Sequence, residues 1–235
     1  MSAGGAGERS DAIEGTPLPA ELSRLPAGRH GLPPEFIREN QRTRILAAAL
    51  EVFGTRGFAE TTVQDLIREA RVSRATFYAV FSDKEDCFLA LYDTAVSWLR
   101  GEAVAAGREE ADWAGRLCAV TERIVSTLAG DRRLARVCAV EAPSAGEAAL
   151  GRREELGAEV AEAMRAGRAE RPWGPRLPSS LEIALLGGGL FLIAKGPALG
   201  RDVEPETLAG ELSELLLTPY LGMADARALV RSREG

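Results

Sequence analysis

A cluster of hydrogen-bonding side chains occupies one short stretch of the chain, VSRATFYAVFSDKEDCF, which runs from Val72 to Phe88. Arg74, Thr76, Tyr78 and Lys84 place guanidinium, hydroxyl and ammonium donors close together in sequence, and such donors recognise anionic and polar acceptors. The stretch contains no histidine that could act as a general base. Its residue types therefore favour binding over catalysis.

The rest of the chain also argues against an enzyme. The single histidine, His30, lies in a Gly- and Pro-rich segment, so no histidine-based triad or zinc site can form in the body of the protein. Glu154 and Glu155 are adjacent on a predicted helix and point apart, as expected of a solvated face. The three cysteines lie singly, at Cys87, Cys118 and Cys138. This pattern predicts buried thiols in a reducing compartment, with no metal and no cofactor.

The charge of the chain limits how it can contact an anionic partner. The net charge is -6 and the pI is about 5.1, which excludes a protein that coats nucleic acid or membrane through a broad positive surface. From Arg38 to Arg74, however, seven arginines stand against five acids, a local charge of +2 that leaves -8 elsewhere. The positive region is small and localised.

No segment predicts export or membrane insertion. The N-terminus lacks the apolar run of a signal peptide, and the uncharged stretch from Ile183 to Ala194 is shorter than the roughly 20 residues that a membrane-spanning helix needs. We therefore expect a cytoplasmic protein without a membrane partner.

Hydrophobic periodicity predicts an all-α protein. Residues 1–34 contain eleven Gly or Pro and no apolar period, which is typical of a disordered tail. A first helix follows from Glu35, with Gly57 as its stop. Its apolar positions are Ile45, Leu46, Ala49, Leu50 and Phe53.

Three further helix starts follow from capping patterns. A second helix begins at Thr62, where the spacing to Asp65 forms a capping box, although Thr61 with Gln64 fits the same pattern. A third begins near Ser73. Ser82 and Glu85 announce a fourth.

The C-terminal part reads as further helices with no convincing strand. They span roughly Trp113 to Leu128, Arg132 to Val140, Arg153 to Arg168, Leu181 to Lys195 and Pro205 to Leu217. Ser179 with Glu182 forms another capping pattern. The expected organisation is a tail at 1–34, a three-helix unit at 35–82, a helical body at 83–222 and a C-terminal tail at 223–235.

The third helix is short, and the division of its residues between an inward and an outward face suggests why. If Leu66, Ile67 and Phe77 face inward across a tight turn, Arg74 and Tyr78 face outward. A helix-turn-helix places its second helix in the major groove of DNA, where only a few residues need to reach the base edges. The short helix is therefore predicted to be a DNA-recognition helix.

Over Ile45 to Phe88 the chain resembles the TetR-type (tetracycline-repressor-like) bacterial transcriptional regulators. The matching elements are F-x-x-x-G-F at the end of the first helix, TTV-x-D-L, then V-S-x-x-T-F-Y-x-x-F, and a Lys-Glu helix start. Several fixed spacings coincide in this segment. The resemblance implies an all-α homodimer that binds an operator, with a divergent body in which a small molecule weakens DNA binding.

The resemblance also implies roles for individual residues at the DNA. Those expected to contact phosphates or base edges are Thr62, Gln64, Ser73, Arg74, Thr76, Tyr78 and Lys84. The chain departs from the family pattern twice. Arg71 stands where the turn usually holds Gly, and Val80 replaces a common backbone-contacting His.

The segment ALLGGGLFLIA, from Ala184 to Ala194, is the second unusual feature. Three glycines in a helix cost about 1 kcal/mol each relative to alanine, so they predict a close dimer contact, space for a ligand, or a helix broken at Gly187 to Gly189. The resemblance implies a four-helix bundle between two copies. Its expected interface residues are Leu181, Leu185, Gly188, Leu192, Leu208, Leu212 and Leu215.

Four aromatic residues are candidates to line an effector pocket in the body: Trp98, Trp113, Trp173 and Phe191. The sequence thus predicts a repressor that binds a palindromic operator as a homodimer and is released by an unknown, mostly apolar small molecule. The alternative is a helical interaction or ligand-binding protein with weakened DNA binding.

Overall fold

The computed structural model describes residues 34–196 and 204–233, and helices are its only regular elements within these ranges. The α-helices are α1 (Pro34–Arg56), α2 (Val63–Ala70), α3 (Arg74–Val80), α4 (Lys84–Gly107), α5 (Trp113–Gly130), α6 (Arg132–Arg136), α7 (Glu147–Arg165), α8 (Leu181–Lys195), α9 (Pro205–Leu221) and α10 (Met223–Arg233). A π-helix, Val137–Glu141, follows α6 directly. The all-α prediction is confirmed.

The apolar period of α1 builds the core beneath α2, α3 and α4. All five predicted core positions of α1 are buried, and Phe53 has no exposed surface. The Phe53 ring stacks on Phe58 and meets Phe88 of α4 edge-on, with ring centroids 5.6 and 5.4 Å apart. The same core continues into the π-helix at Val137 and into α7 at Ala149. The N-terminal unit therefore packs directly on part of the body.

The predicted helix starts hold for α2 and α3, and the fourth needs a correction. Gly57 ends α1 with a φ of +89°, as expected of a glycine stop. The cap of α4 is Asp83 rather than Ser82, because the Asp83 carboxylate accepts the N–H of Asp86 at 2.7 Å. Ser82 instead donates its own N–H to the Asp86 carboxylate at 2.8 Å.

The C-terminal prediction was wrong at residues 223–233, which form α10 rather than a tail. Ala226 and Val230 are buried against Leu217 and Cys118, and the Arg227 guanidinium pairs with Glu214 of α9 at 2.6 Å. The helix was missed because it buries little apolar surface of its own. The predicted tail at 1–34 lies outside the described residues except for Pro34, and so does His30.

Glu182 also departs from its predicted role as a capping residue. Ser180 precedes α8 without a side-chain cap, while the Glu182 side chain is fully buried. Its carboxylate accepts two hydrogen bonds from Arg168, at 2.8 and 2.9 Å, and one from the Tyr220 hydroxyl at 3.0 Å. A buried carboxylate must be paired in this way to offset the loss of water, so Glu182 joins α8, α9 and the segment before α8.

α8 is continuous through Gly187 to Gly189, so the alternative of a broken helix is wrong. None of the helices in residues 34–196 and 204–233 combines the length and apolar content needed to cross a membrane.

Candidate nucleic-acid interface

The N-terminus of α2 is fixed by a reciprocal cap between Thr62 and Asp65. The Thr62 hydroxyl accepts the Asp65 N–H at 3.2 Å, and the Asp65 carboxylate accepts the Thr62 N–H at 3.0 Å and its hydroxyl at 2.6 Å. These hydrogen bonds, helped by Arg56 and Arg68, lower the pKa of Asp65 to about 2. The cap therefore stays charged at neutral pH. Gln64 is exposed beside it.

The turn between α2 and α3 contains the backbone conformation expected where the family usually has glycine. Arg71 adopts φ 52° and ψ 46°, the left-handed region, which costs a non-glycine residue on the order of 1 kcal/mol. Arg44 of α1 donates to the carbonyls of Ala70 and Arg71 at 2.9 and 3.2 Å. Carbonyls at the end of a helix lack intrahelical donors, so Arg44 closes the turn.

α3 places its apolar side inward and its polar side outward. Ser73 caps the helix by accepting the Thr76 N–H at 3.0 Å, while Phe77 is completely buried. Arg74 is exposed, and its guanidinium carbon lies 5.4 Å from the centre of the Tyr78 ring. Tyr78 is 45% exposed. Arg74 and Tyr78 thus form an adjacent cation and aromatic ring on the outer face of the helix.

Lys84 makes two contacts inside the fold. Its ammonium group donates to the carbonyl of Phe58 at 3.0 Å and lies 4.0 Å from the centre of the Phe58 ring. The side chain is half-buried. An ammonium group carries three N–H donors, so the contact with Phe58 leaves donors that can meet a phosphate. Val80 is half-buried and packs against the main core.

The seven predicted DNA-contact residues therefore lie between α2 and the start of α4. Five of them are exposed, namely Thr62, Gln64, Ser73, Arg74 and Tyr78, while Thr76 and Lys84 are half-buried. Thr76 also exchanges a hydrogen bond with Ser73, with the two hydroxyl oxygens 2.8 Å apart. Donors presented on a short helix after a tight turn match the geometry with which helix-turn-helix proteins read DNA.

Residues 45–91 match the family model described as "Bacterial regulatory proteins, tetR family". This segment of the chain is similar to the TetR family. Over 74 residues it is 39% identical to the HTH-type transcriptional regulator EthR of Mycolicibacterium smegmatis, a match that covers 32% of this chain and 33% of EthR. The chain spans between 21% and 50% of the length of three curated relatives that it matches.

Similarity in fold to solved structures extends over most of the chain. The fatty acid degradation regulator FadR of Bacillus halodurans is similar with a TM-score of 0.67 and 18% identity, and the match covers 80% of this chain and 97% of FadR. FadR of Bacillus subtilis, solved in complex with stearoyl-CoA, is similar with a TM-score of 0.58 and 19% identity, covering 76% and 97% of the two chains.

The structure does not bring the four aromatic pocket candidates together. Trp98 packs against the main core. Trp113 meets Tyr220 edge-on at 5.0 Å and donates its indole N–H to the carbonyl of Ala163. Trp173 donates to Pro219 at 3.1 Å, and Phe191 is 59% exposed. Aromatic residues at helical spacing here serve separate packing positions.

The predicted dimer residues divide into two groups. Leu185, Leu208 and Leu212 are buried within their own chain, since α5 and α9 pack against each other and α9 also covers Leu185. These three side chains are not free to face a second copy, because one chain already covers them.

The remaining predicted dimer residues are more exposed to solvent. Leu181 and Leu192 are half-buried, and Leu215 is 41% exposed. No atom outside the helix lies within 4 Å of a side chain built at Gly188. Ile183, which the sequence analysis did not select, is 54% exposed on α8.

Sequence reasoning missed two groups that hold this interface. Arg44 was counted only as a charge, although an expected left-handed turn at Arg71 implies carbonyls in need of a donor. Glu141 of the π-helix accepts the N–H of Phe58 at 2.8 Å. No sequence signal could link these residues, because 83 positions separate them.

Proposed function

We propose that the protein is a transcriptional regulator that binds a specific DNA operator through α2 and α3. The observation that carries this proposal is the exposed face formed by Gln64, Ser73, Arg74 and Tyr78 beside the left-handed turn at Arg71. Arg74 can reach the O6 and N7 atoms of guanine with its two parallel N–H donors. Residues 35–82 serve as the DNA-binding domain in this proposal.

Phosphate contacts supplement the base contacts. The N–H groups at the start of α2 and the ammonium group of Lys84 are suited to phosphate oxygens, because helix N-termini and lysines both attract anions. The Thr62 hydroxyl already donates to Asp65, so its contribution comes chiefly from fixing this helix start. In this proposal, α3 makes the contacts that distinguish one DNA sequence from another.

The proposal includes a homodimer formed through α8 and α9, with residues 83–222 and α10 as the regulatory and dimerisation domain. Ile183, Phe191 and Leu215 expose 54%, 59% and 41% of their surfaces. Gly187 and Gly188 leave open space between the first two. Exposed apolar side chains beside glycines suit the close approach of a second helix pair, which would bury them. Two copies would present two copies of α3 to an inverted repeat.

The proposed mode of action is repression that an apolar or amphipathic effector relieves. The support is the similarity in fold to FadR of Bacillus subtilis, which was solved with stearoyl-CoA, an amphipathic molecule with a long apolar chain. An effector that binds the DNA-incompetent state about 100-fold more tightly weakens operator binding by about 2.7 kcal/mol per site. Fatty acyl-CoA is the first class to test.

Selection from a random pool of DNA duplexes tests the DNA-binding proposal. The whole chain should enrich an inverted repeat whose half-sites lie about one helical turn, roughly 34 Å, apart. The DNA flanking its own gene should contain a related sequence. Recovery of unrelated duplexes would instead favour an interaction or ligand-binding protein with weakened DNA binding.

Two measurements test the proposed homodimer and the proposed effector. Sedimentation should show a dimer at micromolar concentration, and Phe191→Glu should yield monomers because it places a charge at the proposed interface. A monomeric unaltered chain would contradict the dimer. Titration with stearoyl-CoA should release the selected operator, and bound ligand that leaves operator affinity unchanged would contradict the effector proposal.

A further inference from the structure

Both backbone polar atoms of Phe58, in the turn before α2, are held by residues outside the α1–α3 unit. Its N–H donates to the Glu141 carboxylate of the π-helix at 2.8 Å, and its carbonyl accepts from Lys84 of α4 at 3.0 Å. The Phe58 side chain is 5% exposed. The turn that leads into α2 is therefore positioned from both sides.

Glu141 is itself firmly held. Its side chain is 7% exposed, and Arg136 donates to its other carboxylate oxygen at 2.7 Å. A second N–H of Arg136 donates to the carbonyl of Thr55 at 2.8 Å, near the end of α1. The pair thus binds the segment Thr55–Phe58 at two backbone atoms. Hydrogen bonds to charged groups are stronger than neutral ones.

The π-helix explains how Arg136 and Glu141 meet. In a regular α-helix, residues five positions apart point about 140° away from each other. A π-helix pairs residue i with residue i+5 and so brings such side chains closer. Val137–Glu141 is a π-helix, and its last residue is the one that reaches Phe58. The irregular segment therefore aims the carboxylate at the turn.

Gly57 fits tightly between these groups. A side chain built at Gly57 would place its Cβ 2.6 Å from a guanidinium nitrogen of Arg136 and 3.1 Å from the Glu141 carboxylate. The φ of +89° also favours glycine. The end of α1 thus lies directly against the ion pair.

We infer that Glu141 is a positioning residue for DNA binding: from the body it fixes the turn Gly57–Thr62 and thereby the placement of α2 and α3. The inference rests on the proposed function, because it states how the body would regulate DNA binding. Whatever displaces the π-helix shifts the acceptor of the Phe58 N–H, and the displacement reaches the capped start of α2 at Thr62. The body then controls operator affinity through this contact.

Two variants of nearly equal size separate the hydrogen bond from packing. Glu141→Met fills a similar volume but accepts no hydrogen bond, whereas Glu141→Gln keeps an oxygen for the Phe58 N–H. Glu154→Gln, on an exposed face of α7, is the matched control for the lost charge. Each full-length variant is compared with the unaltered chain for amide hydrogen exchange at Phe58 and for affinity to the selected operator and to scrambled DNA.

Glu141→Met should speed exchange at Phe58 about tenfold or more and weaken operator binding by a similar factor, as expected for a lost charge-assisted hydrogen bond. Its salt dependence should be unchanged because no phosphate contact is lost. Glu141→Gln should recover most of both effects. If Glu141→Met does not fold, the double variant Arg136→Met/Glu141→Met removes the unpaired guanidinium and is measured instead.

Unchanged operator affinity in a folded variant that lacks the acceptor would overturn the inference, and so would unchanged exchange at Phe58. Equal losses in Glu154→Gln would overturn it too, because the effect would then be one of charge. If the unaltered chain selects no DNA sequence, the proposed function fails instead, and the exchange measurement alone decides whether Glu141 fixes the turn.

Discussion

The helices α2 to α6 and the later helices α7 to α9 begin in different ways. From α2 to α6, every helix begins with a side chain that caps the first turn, and each cap lies within three residues of its partner. In the body, α7, α8 and α9 begin without a side-chain cap: their preceding residues are Gly146, Ser180 and Glu204. Local contacts thus fix the starts of α2 to α6, whereas α7, α8 and α9 have no such cap.

Ion pairs between distant residues join the later helices to one another and to α5. The Arg233 guanidinium at the end of α10 binds Glu110 and Glu122, which lie 123 and 111 positions earlier. Arg168 and Tyr220 surround the buried Glu182. Long-range pairs of this kind join the later helices, whereas the N-terminal unit combines local caps and an aromatic core with a long-range contact from Glu141.

The largest loss in the free energy of unfolding is expected from replacing Glu182, the buried acid of the body. Glu182→Leu leaves Arg168 and Tyr220 without their partner, and breaking a buried ion pair in this way costs about 3–5 kcal/mol. Chemical denaturation should show this loss in the free energy of unfolding. Glu154→Leu, an exposed acid of α7, is the control. A loss below about 1 kcal/mol for Glu182→Leu would contradict a central role of this pair.

Lowering the pH should reproduce part of the loss in the free energy of unfolding. Hydrogen bonding from Arg168 lowers the pKa of Glu182 from 4.5 to about 2. A lowered pKa in the folded state adds stability that is complete above the unfolded value and is lost as the pH falls through the folded value. The unfolding free energy should therefore drop between about pH 4.5 and pH 2. Glu182→Leu should flatten this drop, and an identical pH profile would contradict it.

In the N-terminal unit, substitution on the exposed face should affect DNA rather than stability. Arg74→Ala should cost about 1–3 kcal/mol of operator binding and relax the preference at one base pair per half-site. Arg176→Ala, an exposed arginine of the body, should have no such effect. Equal losses on operator and scrambled DNA would make Arg74 a phosphate contact instead.

A small gain in the free energy of unfolding is expected from a substitution in the turn between α2 and α3. Arg71→Gly removes the strain of the left-handed conformation and should raise the free energy of unfolding by up to about 1 kcal/mol, reduced by the greater freedom of glycine in the unfolded chain. Chemical denaturation at neutral pH measures it. Marked destabilisation would show that the Arg71 side chain contributes more than its backbone strain costs.

The same contrast explains how far the sequence could be interpreted. Thr62 with Asp65, Ser73 and the stop at Gly57 are local patterns, and the structure confirms the helices that they predict. Glu182 fitted a local capping pattern equally well but pairs with Arg168, fourteen positions away. Side-chain chemistry does not identify a distant partner. For the same reason the positions of Leu208, Leu212 and Trp113 could not be assigned to a dimer, a pocket or the core.

Arg44 and Glu141 show the limit most clearly. Both hold backbone atoms of the DNA-binding unit, at separations of 26 and 83 positions. The π-helix that aims Glu141 has no recognised spacing in the sequence. A motif in the sequence thus suggested which residues to propose as DNA contacts, whereas the residues that position them could be identified only from the fold.

Titration of one selected inverted repeat, intact and with one half-site scrambled, tests the central claim most directly. The unaltered chain should bind the intact duplex with two protomers and lose at least tenfold in affinity when either half-site is scrambled, at the same salt concentration and with each correct contact worth about 1–3 kcal/mol. Equal affinity for the intact and scrambled duplexes would contradict sequence-specific recognition by a pair of α3 helices.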